Sequence, residues 1–355
     1  MDAKLIHKLS ERNKEGTLRS LSCLDGMADF FSNDYLGLAS QTSELKVNHS
    51  GSTGSRLISG TSIAALGCES FLAQYFNAGA ALVFNSGYDA NLGFFGSVPQ
   101  KGDTIIYDQL IHASVRDGIR LSYAKSFSFE HNSINDLEKK LERSEGTVYV
   151  AVESLYSMDG DLAPLKEMAN LCMRHKAYLI ADEAHAVGVL GKGLVDELGI
   201  CELVFARLVT FGKAYGAHGA AILGSLELKD YLINFARSFI YTTALPPSAY
   251  DLIRQKCEVD TRAMQIHLQE NIDLFRKQML TENLFSDARS PIQIIPIGDI
   301  TKTKVLAEKI QSQGFAVKPI YSPTVPEGEE RVRICIHAFN TCDEIEKLSA
   351  LLRDS

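Results

Sequence analysis

Two segments of the chain place ionisable side chains directly after apolar runs. Asp182 closes the run Tyr178–Ala181, and His185 follows three residues later. Lys213 comes just after the run Leu203–Thr210, between small and apolar neighbours. A carboxylate at the end of a buried strand is costly without a partner, and a protonated ring nitrogen is one such partner. A lysine in these surroundings can approach a carbonyl group closely and form a covalent bond with it.

Two further polar clusters could also bind a ligand, although each has a simpler structural explanation. Ser86 and Gly87 separate the apolar run Ala80–Phe84 from the start of a helix, where free N–H groups and the helix dipole favour a phosphate. A plain strand-to-helix turn is the commoner explanation for such a pair. His112 could stack on an aromatic ligand or be a hydrogen-bonded structural histidine, which is the commoner case. Ligands of open α/β sheets bind outside the carboxyl ends of strands, so these clusters could converge.

Composition and missing motifs argue against several other functions. The net charge of −8 argues against a nucleic-acid or anionic-membrane surface. We expect no metal, because no cysteine or histidine follows the Asp182 segment at zinc-ligand spacing. The stretch Gly51–Gly60 lacks the Gly-Lys-Ser/Thr ending of a P-loop, and no GxGxxG motif follows the first strand. The seven cysteines form no CxxC pair, so we predict a reducing, cytoplasmic setting.

The pattern of elements predicts an α/β fold for most of the chain. Continuous apolar runs alternate with helix-length segments from about residue 63 to 225, which is typical of a mostly parallel sheet covered on both faces. The expected strands are Ala80–Phe84, Thr104–Tyr107, Thr147–Val152, Tyr178–Ala181 and Leu203–Thr210, and the expected helices between them include Ile134–Arg143 and Leu165–His175.

The two ends of the chain show a different pattern of helices and strands from the central α/β part. Residues 1–20 read as a charged amphipathic helix, and a long helical stretch is expected over about 248–281. A smaller α+β domain follows, with strands at Ile292–Ile297, Phe315–Ile320 and Val332–Ile336 and helices at about 301–313 and 341–353. We therefore divide the chain into an N-terminal segment (1–40), a major domain (41–245) and a C-terminal small domain (246–355).

The ordered set of motifs resembles the α-oxoamine synthases, which are pyridoxal 5′-phosphate (PLP) enzymes of fold type I. The resemblance spans nearly the whole chain, and any one motif is moderate evidence whereas all of them in order are strong. It implies the fold of PLP-dependent transferases and PLP as the cofactor. The motifs that carry it are Ser86-Gly87-Tyr88, His112-Ala113-Ser114, Ser157-Met158-Asp159-Gly160, Asp182-Glu183-Ala184-His185 and Thr210-Phe211-Gly212-Lys213-Ala214.

The resemblance assigns a role to each matching residue. Lys213 binds PLP covalently and later moves the Cα proton, and Asp182 pairs with the pyridine nitrogen. His185 and Ser157 bond the phenolic oxygen, while His112 stacks on the ring. The other matches lie beside the phosphate (Ser86, Gly87, Tyr88, Thr210), reach the phosphate of a neighbouring subunit (Thr242 or Thr243), or face the substrate (Arg333, which grips its carboxylate, and Asn33).

The implied reaction is a decarboxylative condensation of an amino acid with an acyl thioester. Within the family, the chain is most similar to the enzymes that join L-alanine to a pimeloyl thioester in biotin synthesis, with coenzyme A or acyl carrier protein as the carrier. Condensations that use glycine or serine remain alternatives within the family. Aminotransfer and a catalytically silent partner subunit are the alternatives outside it, and a silent subunit is expected to lack Lys213. The family also implies a homodimer with a shared active site.

Two departures from the family lie near the implied acyl-thioester entrance. The chain between Leu38 and Gly51 is shorter than in the family, and Ala65 stands where relatives often carry histidine. Neither change touches the residues expected to hold PLP. Both put the identity of the acyl donor in question.

Overall fold

The computed structural model describes residues 2–41, 50–279 and 284–353. The shortened segment between Leu38 and Gly51 therefore falls largely outside the described residues. Within the described part, twelve strands are present. They are β1 (Ala28–Asp29), β2 (Ala80–Phe84), β3 (Thr104–Asp108), β4 (Lys125–Phe129), β5 (Val148–Glu153), β6 (Tyr178–Asp182), β7 (Ala206–Thr210), β8 (Ala220–Gly224), β9 (Ile292–Pro296), β10 (Phe315–Ala316), β11 (Lys318–Ile320) and β12 (Arg331–Cys335).

Thirteen α-helices accompany these strands in the described ranges, together with short 3₁₀ turns at Leu38–Ser40 and Cys201–Leu203. None of the described helices is long and apolar enough to cross a membrane. The helices are α1 (Ala3–Lys14), α2 (Ile63–Tyr75), α3 (Gly87–Phe95), α4 (Ala113–Leu121), α5 (Ile134–Glu142), α6 (Leu165–Arg174), α7 (Leu194–Glu197), α8 (Leu226–Phe235), α9 (Arg237–Ile240), α10 (Pro247–Glu258), α11 (Arg262–Gln278), α12 (Ile300–Ser312) and α13 (Cys342–Arg353).

The chain folds as two compact units. The larger unit comprises Leu36–Ser157 and Leu162–Gln265, and the smaller unit comprises the stretch up to Tyr35, Met158–Asp161 and the stretch from Ile266 onward. The domain limits expected from the sequence, at 40/41 and 245/246, stay predictions.

A seven-stranded sheet forms the centre of the larger unit, in the order β2-β8-β7-β6-β5-β3-β4. The strands from β7 to β4 pair in parallel, whereas β8 is antiparallel to both of its neighbours. Because β2 and β7 are both antiparallel to β8, β2 runs in the same direction as the parallel strands. The carboxyl ends of β2, β3, β5, β6 and β7 therefore meet at one edge of the sheet.

Both faces of this sheet are buried, as the continuous apolar runs predicted. Along β5, Val148, Val150 and Val152 face one core, and Tyr149 and Ala151 face the other. Each strand alternates its side chains between the two faces, so a strand covered on both sides must be apolar at every position. The fold class expected from the sequence is confirmed.

The smaller unit contains two small sheets. β9, β12 and β11 form an antiparallel sheet in the order β11-β12-β9, and β1 pairs in parallel with β10. The helix α13 starts with a capping box, in which the amide of Thr341 donates to the Glu344 carboxylate at 2.8 Å. Gly314 follows α12 with a φ of +86°, a conformation that glycine adopts without steric cost.

Several boundaries differ from the sequence expectation. The single strand expected over Phe315–Ile320 is wrong, because the chain leaves one sheet at Ala316 and enters the other at Lys318. The helix expected over 248–281 is two helices, α10 and α11, separated at residues 259–261. The N-terminal helix is shorter than residues 1–20, and β7 begins at Ala206 because a 3₁₀ turn precedes it.

The core that β6 shares with α5 and α6 provides a test of the fold. Leu179 on β6 is fully buried there. We expect Leu179→Ala to lower the free energy of unfolding by about 2–5 kcal/mol, because the lost side chain leaves a cavity. Leu226→Ala removes an exposed leucine from α8 and should change it by less than about 0.5 kcal/mol. Urea denaturation compares the two variants; equal losses would contradict the burial of Leu179.

Candidate active site

The carboxyl ends of three adjacent parallel strands carry polar side chains. β5 ends at Glu153, β6 at Asp182 and β7 at Thr210, and Glu153 lies in register with Asp182. All three side chains are buried, at 3%, 7% and 8% exposure. The sequence expectation that the strand-end clusters converge is met here for Asp182 and Thr210.

A cavity of about 190 Å³ opens at this edge, entirely within the larger unit. Its walls come from the strand ends, from the first turns of α3 and α4, and from the loop after β7. The lining residues are Gly87, Tyr88, Asn91, His112, Ser114, Glu153, Asp182, Ala184, His185, Leu208, Thr210 and Lys213.

Lys213 enters the cavity from the short connection between β7 and β8. Its Nζ lies 2.7 Å from Nε2 of His185. The connection is tight, because Gly216 donates its amide to the Lys213 carbonyl at 2.8 Å. Gly216 also has a φ of +58°, and a Cβ there would come within 2.1 Å of the Ala39 nitrogen, so only glycine fits. This turn fixes the backbone of Lys213, from which the side chain reaches the His185 imidazole.

Asp182 is buried and accepts hydrogen bonds from two neutral amides. Asn91 donates to it through Nδ2 at 2.8 Å, and the backbone amide of Ala184 donates at 3.0 Å. Asn91 also donates to the Ser114 hydroxyl at 3.0 Å, and that hydroxyl lies 2.7 Å from Nδ1 of His112. A hydrogen-bonded chain thus links the His112 ring to the Asp182 carboxylate.

His112 caps the N-terminus of α4 and accepts from the Ser114 amide through Nδ1. Burial lowers the pKa of His112, and the charge of Lys213 acts in the same direction, while Asp182 opposes them. The imidazole is therefore neutral near pH 7. The hydrogen bonds of His112 involve Nδ1 at the edge of its ring, so the face of the ring remains available for stacking.

The N-terminus of α3 follows β2 and reaches the same edge. Ser86 is the N-cap residue, and its hydroxyl accepts from the Asp89 amide at 3.1 Å. Gly87 and Tyr88 line the cavity, and the Tyr88 hydroxyl donates to the Asp117 carboxylate. The free first-turn amides of α3 suit a phosphate.

Four predicted cofactor residues lie outside the cavity lining as the structure describes it, and Ser86, the N-cap of α3, is one of them. Ser157 is buried, and its amide donates to Oε2 of Glu153 at 3.2 Å. Thr242 and Thr243 are tied to the strand end by Asn85, whose Nδ2 donates to the Thr242 hydroxyl at 3.2 Å and to the Thr243 carbonyl at 2.8 Å. The roles assigned to these four residues stay predictions.

The two predicted substrate residues contact each other in the smaller unit. Arg333 on β12 is 8% exposed and donates to Oδ1 of Asn33 at 3.1 Å. The Tyr35 hydroxyl donates to the same oxygen at 3.0 Å. Arg333 also lies 2.9 Å from the Cys335 sulfur. Their substrate role stays a prediction.

The sequence pattern gives no role to several residues of the cavity. Asn91 and Ser114 lie in or beside the predicted motifs, yet only the fold shows that they connect His112 to Asp182. Glu153 could have been identified from the sequence, because it ends the apolar run of β5 just as Asp182 ends that of β6. The other two lining residues, Ala184 and Leu208, are small or apolar, and nothing in the sequence marks them as part of a binding site.

The residues present fit PLP. A buried carboxylate whose donors are neutral amides suits a cationic pyridine nitrogen, and the charge of each group would stabilise the other. A half-buried lysine amine, a stacking imidazole and the N-terminus of a helix suit the aldehyde, the ring and the phosphate.

The comparisons with known proteins agree with this fold and site. The model of the family "Aminotransferase class I and II" matches residues 25–351. The 8-amino-7-oxononanoate synthase of Emericella nidulans is 40% identical over 97% of this chain and 93% of its own length. A serine palmitoyltransferase variant from S. paucimobilis, solved with a bound PLP–myriocin aldimine, is 25% identical with a TM-score of 0.91, covering 99% of this chain and 96% of its own.

A third similar protein is the 8-amino-7-oxononanoate synthase of Francisella tularensis, at 28% identity and a TM-score of 0.78, covering 93% of this chain and 98% of its own. Together, the fold and site define the class of fold type I PLP-dependent transferases. The chain belongs to the aminotransferase class I and II family.

The link between Asn91 and Asp182 can be tested without any substrate. We expect Asn91→Ala to lower the free energy of unfolding by about 1.5–3 kcal/mol, because a buried carboxylate loses a charge-assisted hydrogen bond. In an Asp182→Asn background the same change should cost clearly less, since no buried charge remains. A double-mutant cycle by urea denaturation gives the coupling, and additive losses would contradict the link.

Proposed function

We propose that this chain is a PLP-dependent acyltransferase that condenses L-alanine with a pimeloyl thioester, releasing carbon dioxide and the thiol carrier and forming 8-amino-7-oxononanoate for biotin. The observation that carries the proposal is the convergence of Lys213, His185 and Asp182 on one cavity. The 40% identity to a full-length 8-amino-7-oxononanoate synthase supports the particular reaction.

The proposed holding groups come from separate elements of the larger unit. Asp182 on β6 would bind the pyridine nitrogen, His112 at the start of α4 would stack on the ring, and the first turn of α3 would bind the phosphate. Bound there, PLP supplies an electron sink for a carbanion at Cα of the amino acid. The neutral amides around Asp182 leave its charge available for that nitrogen.

Lys213 is the proposed acid–base group at Cα. Its Nζ must be a neutral amine to accept the Cα proton, and Nε2 of His185 at 2.7 Å offers an acceptor for one of its hydrogens. The turn at Gly216 fixes the backbone of Lys213, and the contact with His185 places Nζ inside the cavity, from where one amine can take the proton and return it. Fixed placement of both substrates at one cavity supplies further rate through proximity.

Two alternatives within the family use the same groups. Glycine would give a 2-amino-3-ketobutyrate ligase, and serine would give a sphingoid-base synthase, which the similarity to serine palmitoyltransferase structures favours. The relatives matched by sequence favour L-alanine, because the Emericella nidulans protein, at 40% identity, is an 8-amino-7-oxononanoate synthase. We assign Arg333 to the substrate carboxylate, because a planar guanidinium can bond both oxygens.

We further propose a homodimer in the cytoplasm, with Thr242 or Thr243 of one subunit reaching the phosphate bound by the other. The support is the family resemblance of the segment around these threonines. Asn85 holds this segment to the end of β2 through two hydrogen bonds, so its position in the larger unit is well defined.

The reaction is tested by supplying L-alanine, glycine or L-serine with pimeloyl-CoA to the PLP-loaded protein. We expect carbon dioxide and coenzyme A release with L-alanine at a kcat/KM at least about tenfold above the other two. Lys213→Ala should lower turnover by about 10²–10⁴-fold or more, because it removes the acid–base group. Lys139→Ala, at an exposed site on α5, serves as the matched control and should retain wild-type turnover.

Each contrary result has a distinct meaning. Release with glycine or serine alone would retain the family chemistry and reject L-alanine as the substrate. Turnover of Lys213→Ala at the wild-type rate would reject the proposed role of the lysine. A wild-type protein that binds no PLP would reject the whole proposal.

Sharing of the site between subunits is tested by mixing two inactive chains. In a heterodimer of a Lys213→Ala chain and a Thr243→Ala chain, one of the two sites has both residues intact if the site is shared. We expect recovery of up to half the wild-type activity per dimer. A chain with both substitutions, mixed with Lys213→Ala, should give no recovery. The absence of recovery in verified heterodimers of the first kind would contradict sharing.

A further inference from the structure

Glu153 is a buried carboxyl group that the proposed mechanism leaves unused. It ends β5 beside Asp182 on β6, it lines the cavity, and it is 3% exposed. Its oxygen Oε2 accepts from the Ser157 amide at 3.2 Å, and the His112 amide also faces the group. Among the described residues, its other oxygen, Oε1, has no hydrogen-bond partner.

The two loops that Glu153 contacts are the ones that carry proposed cofactor residues. The His112 loop follows β3 and the Ser157 loop follows β5, which are adjacent strands of the sheet. A single carboxyl group between the two backbones fixes their separation. A buried polar atom without a partner costs free energy, so Oε1 is expected to gain a partner when the cavity is filled.

Glu153 holds a proton near pH 7. Burial raises the pKa of Glu153 to about 8, and the neighbouring charge of Asp182 acts in the same direction. Lys213 and the amides of Ser157 and His112 oppose this shift. A protonated carboxyl group can donate a hydrogen bond as well as accept one. Two adjacent carboxyl groups thereby avoid carrying two buried negative charges.

We propose that Glu153 is a positioning residue of the cofactor site, holding the Ser157 loop through Oε2 beside the His112 loop and donating a hydrogen bond from Oε1 to an acceptor on the cofactor. This inference rests on the proposed function, because it takes a pyridoxal-type phosphate as the ligand. It extends that function by giving the second carboxyl group of the site a different charge state and task from Asp182. When Glu153 loses its proton, the donor becomes an anion and the ligand is bound less tightly.

The substitutions Glu153→Gln and Glu153→Leu separate these features. Glutamine keeps an acceptor for the Ser157 amide and a permanent donor for the cavity, whereas leucine removes both. Glu142→Gln, at an exposed position on α5, is the matched control. The probe is pyridoxamine 5′-phosphate, which lacks the aldehyde and so binds without forming a bond to Lys213. Its dissociation constant is measured by equilibrium dialysis between pH 6 and pH 9.

The expected results differ for each protein. The wild type and Glu142→Gln should bind about tenfold more weakly at pH 9 than at pH 7, because Glu153 ionises near pH 8. Glu153→Gln should match the wild type at pH 7 within about threefold and lack this alkaline loss. Glu153→Leu should bind about tenfold more weakly already at pH 7.

The contrary results are equally specific. Tight binding by Glu153→Leu at pH 7 would overturn the positioning role, and an unchanged alkaline loss in Glu153→Gln would overturn the donor role. If Glu153→Leu does not fold by circular dichroism, the pH dependence of Glu153→Gln decides the question. A wild-type protein that binds neither pyridoxamine 5′-phosphate nor PLP would reject the proposed function itself.

Discussion

The larger unit is organised around a buried carboxylate, Asp182, at the carboxyl end of a central strand. Removing a charge from water is expensive unless donors and an opposite charge replace the lost hydration. The fold supplies the donors from two places, the side chain of Asn91 on α3 and the backbone after β6. A cationic ring in the cavity would supply the opposite charge, which is the role proposed for the cofactor.

The topology explains how distant residues reach this point. Parallel strands need long crossovers, so their carboxyl ends collect loops from widely separated parts of the sequence at one edge. The antiparallel strand β8 needs no such crossover, because it follows its neighbour β7 directly in the chain through a short connection. That connection carries Lys213, and its tight turn at Gly216 limits the movement of the lysine.

The residue pattern predicts most of the strands and helices, and the elements that it does not predict have physical explanations. The pattern does not predict β4, because this strand lies at the sheet edge and its first four residues are exposed, so it lacks a continuous apolar run. The strand β8 begins with two alanines and ends with a glycine, and these small residues have low strand propensity. The break between α10 and α11 has neither proline nor glycine; its signal is Asp260, whose carboxylate accepts from the Arg262 amide at 3.2 Å.

Local patterns along the chain are enough to establish the parallel sheet and the chemical types at the strand ends, because apolar runs and polar closures involve neighbouring residues. The ordered motifs that indicate the family are local in the same sense. The links from His112 through Ser114 and Asn91 to Asp182 come only from the folded chain. The same holds for the position of Glu153 beside Asp182, with one oxygen that finds no partner in the described part of the chain. Those relations depend on strand register and on the packing of α3 and α4 against the sheet, and neither is a property of neighbouring residues in the chain.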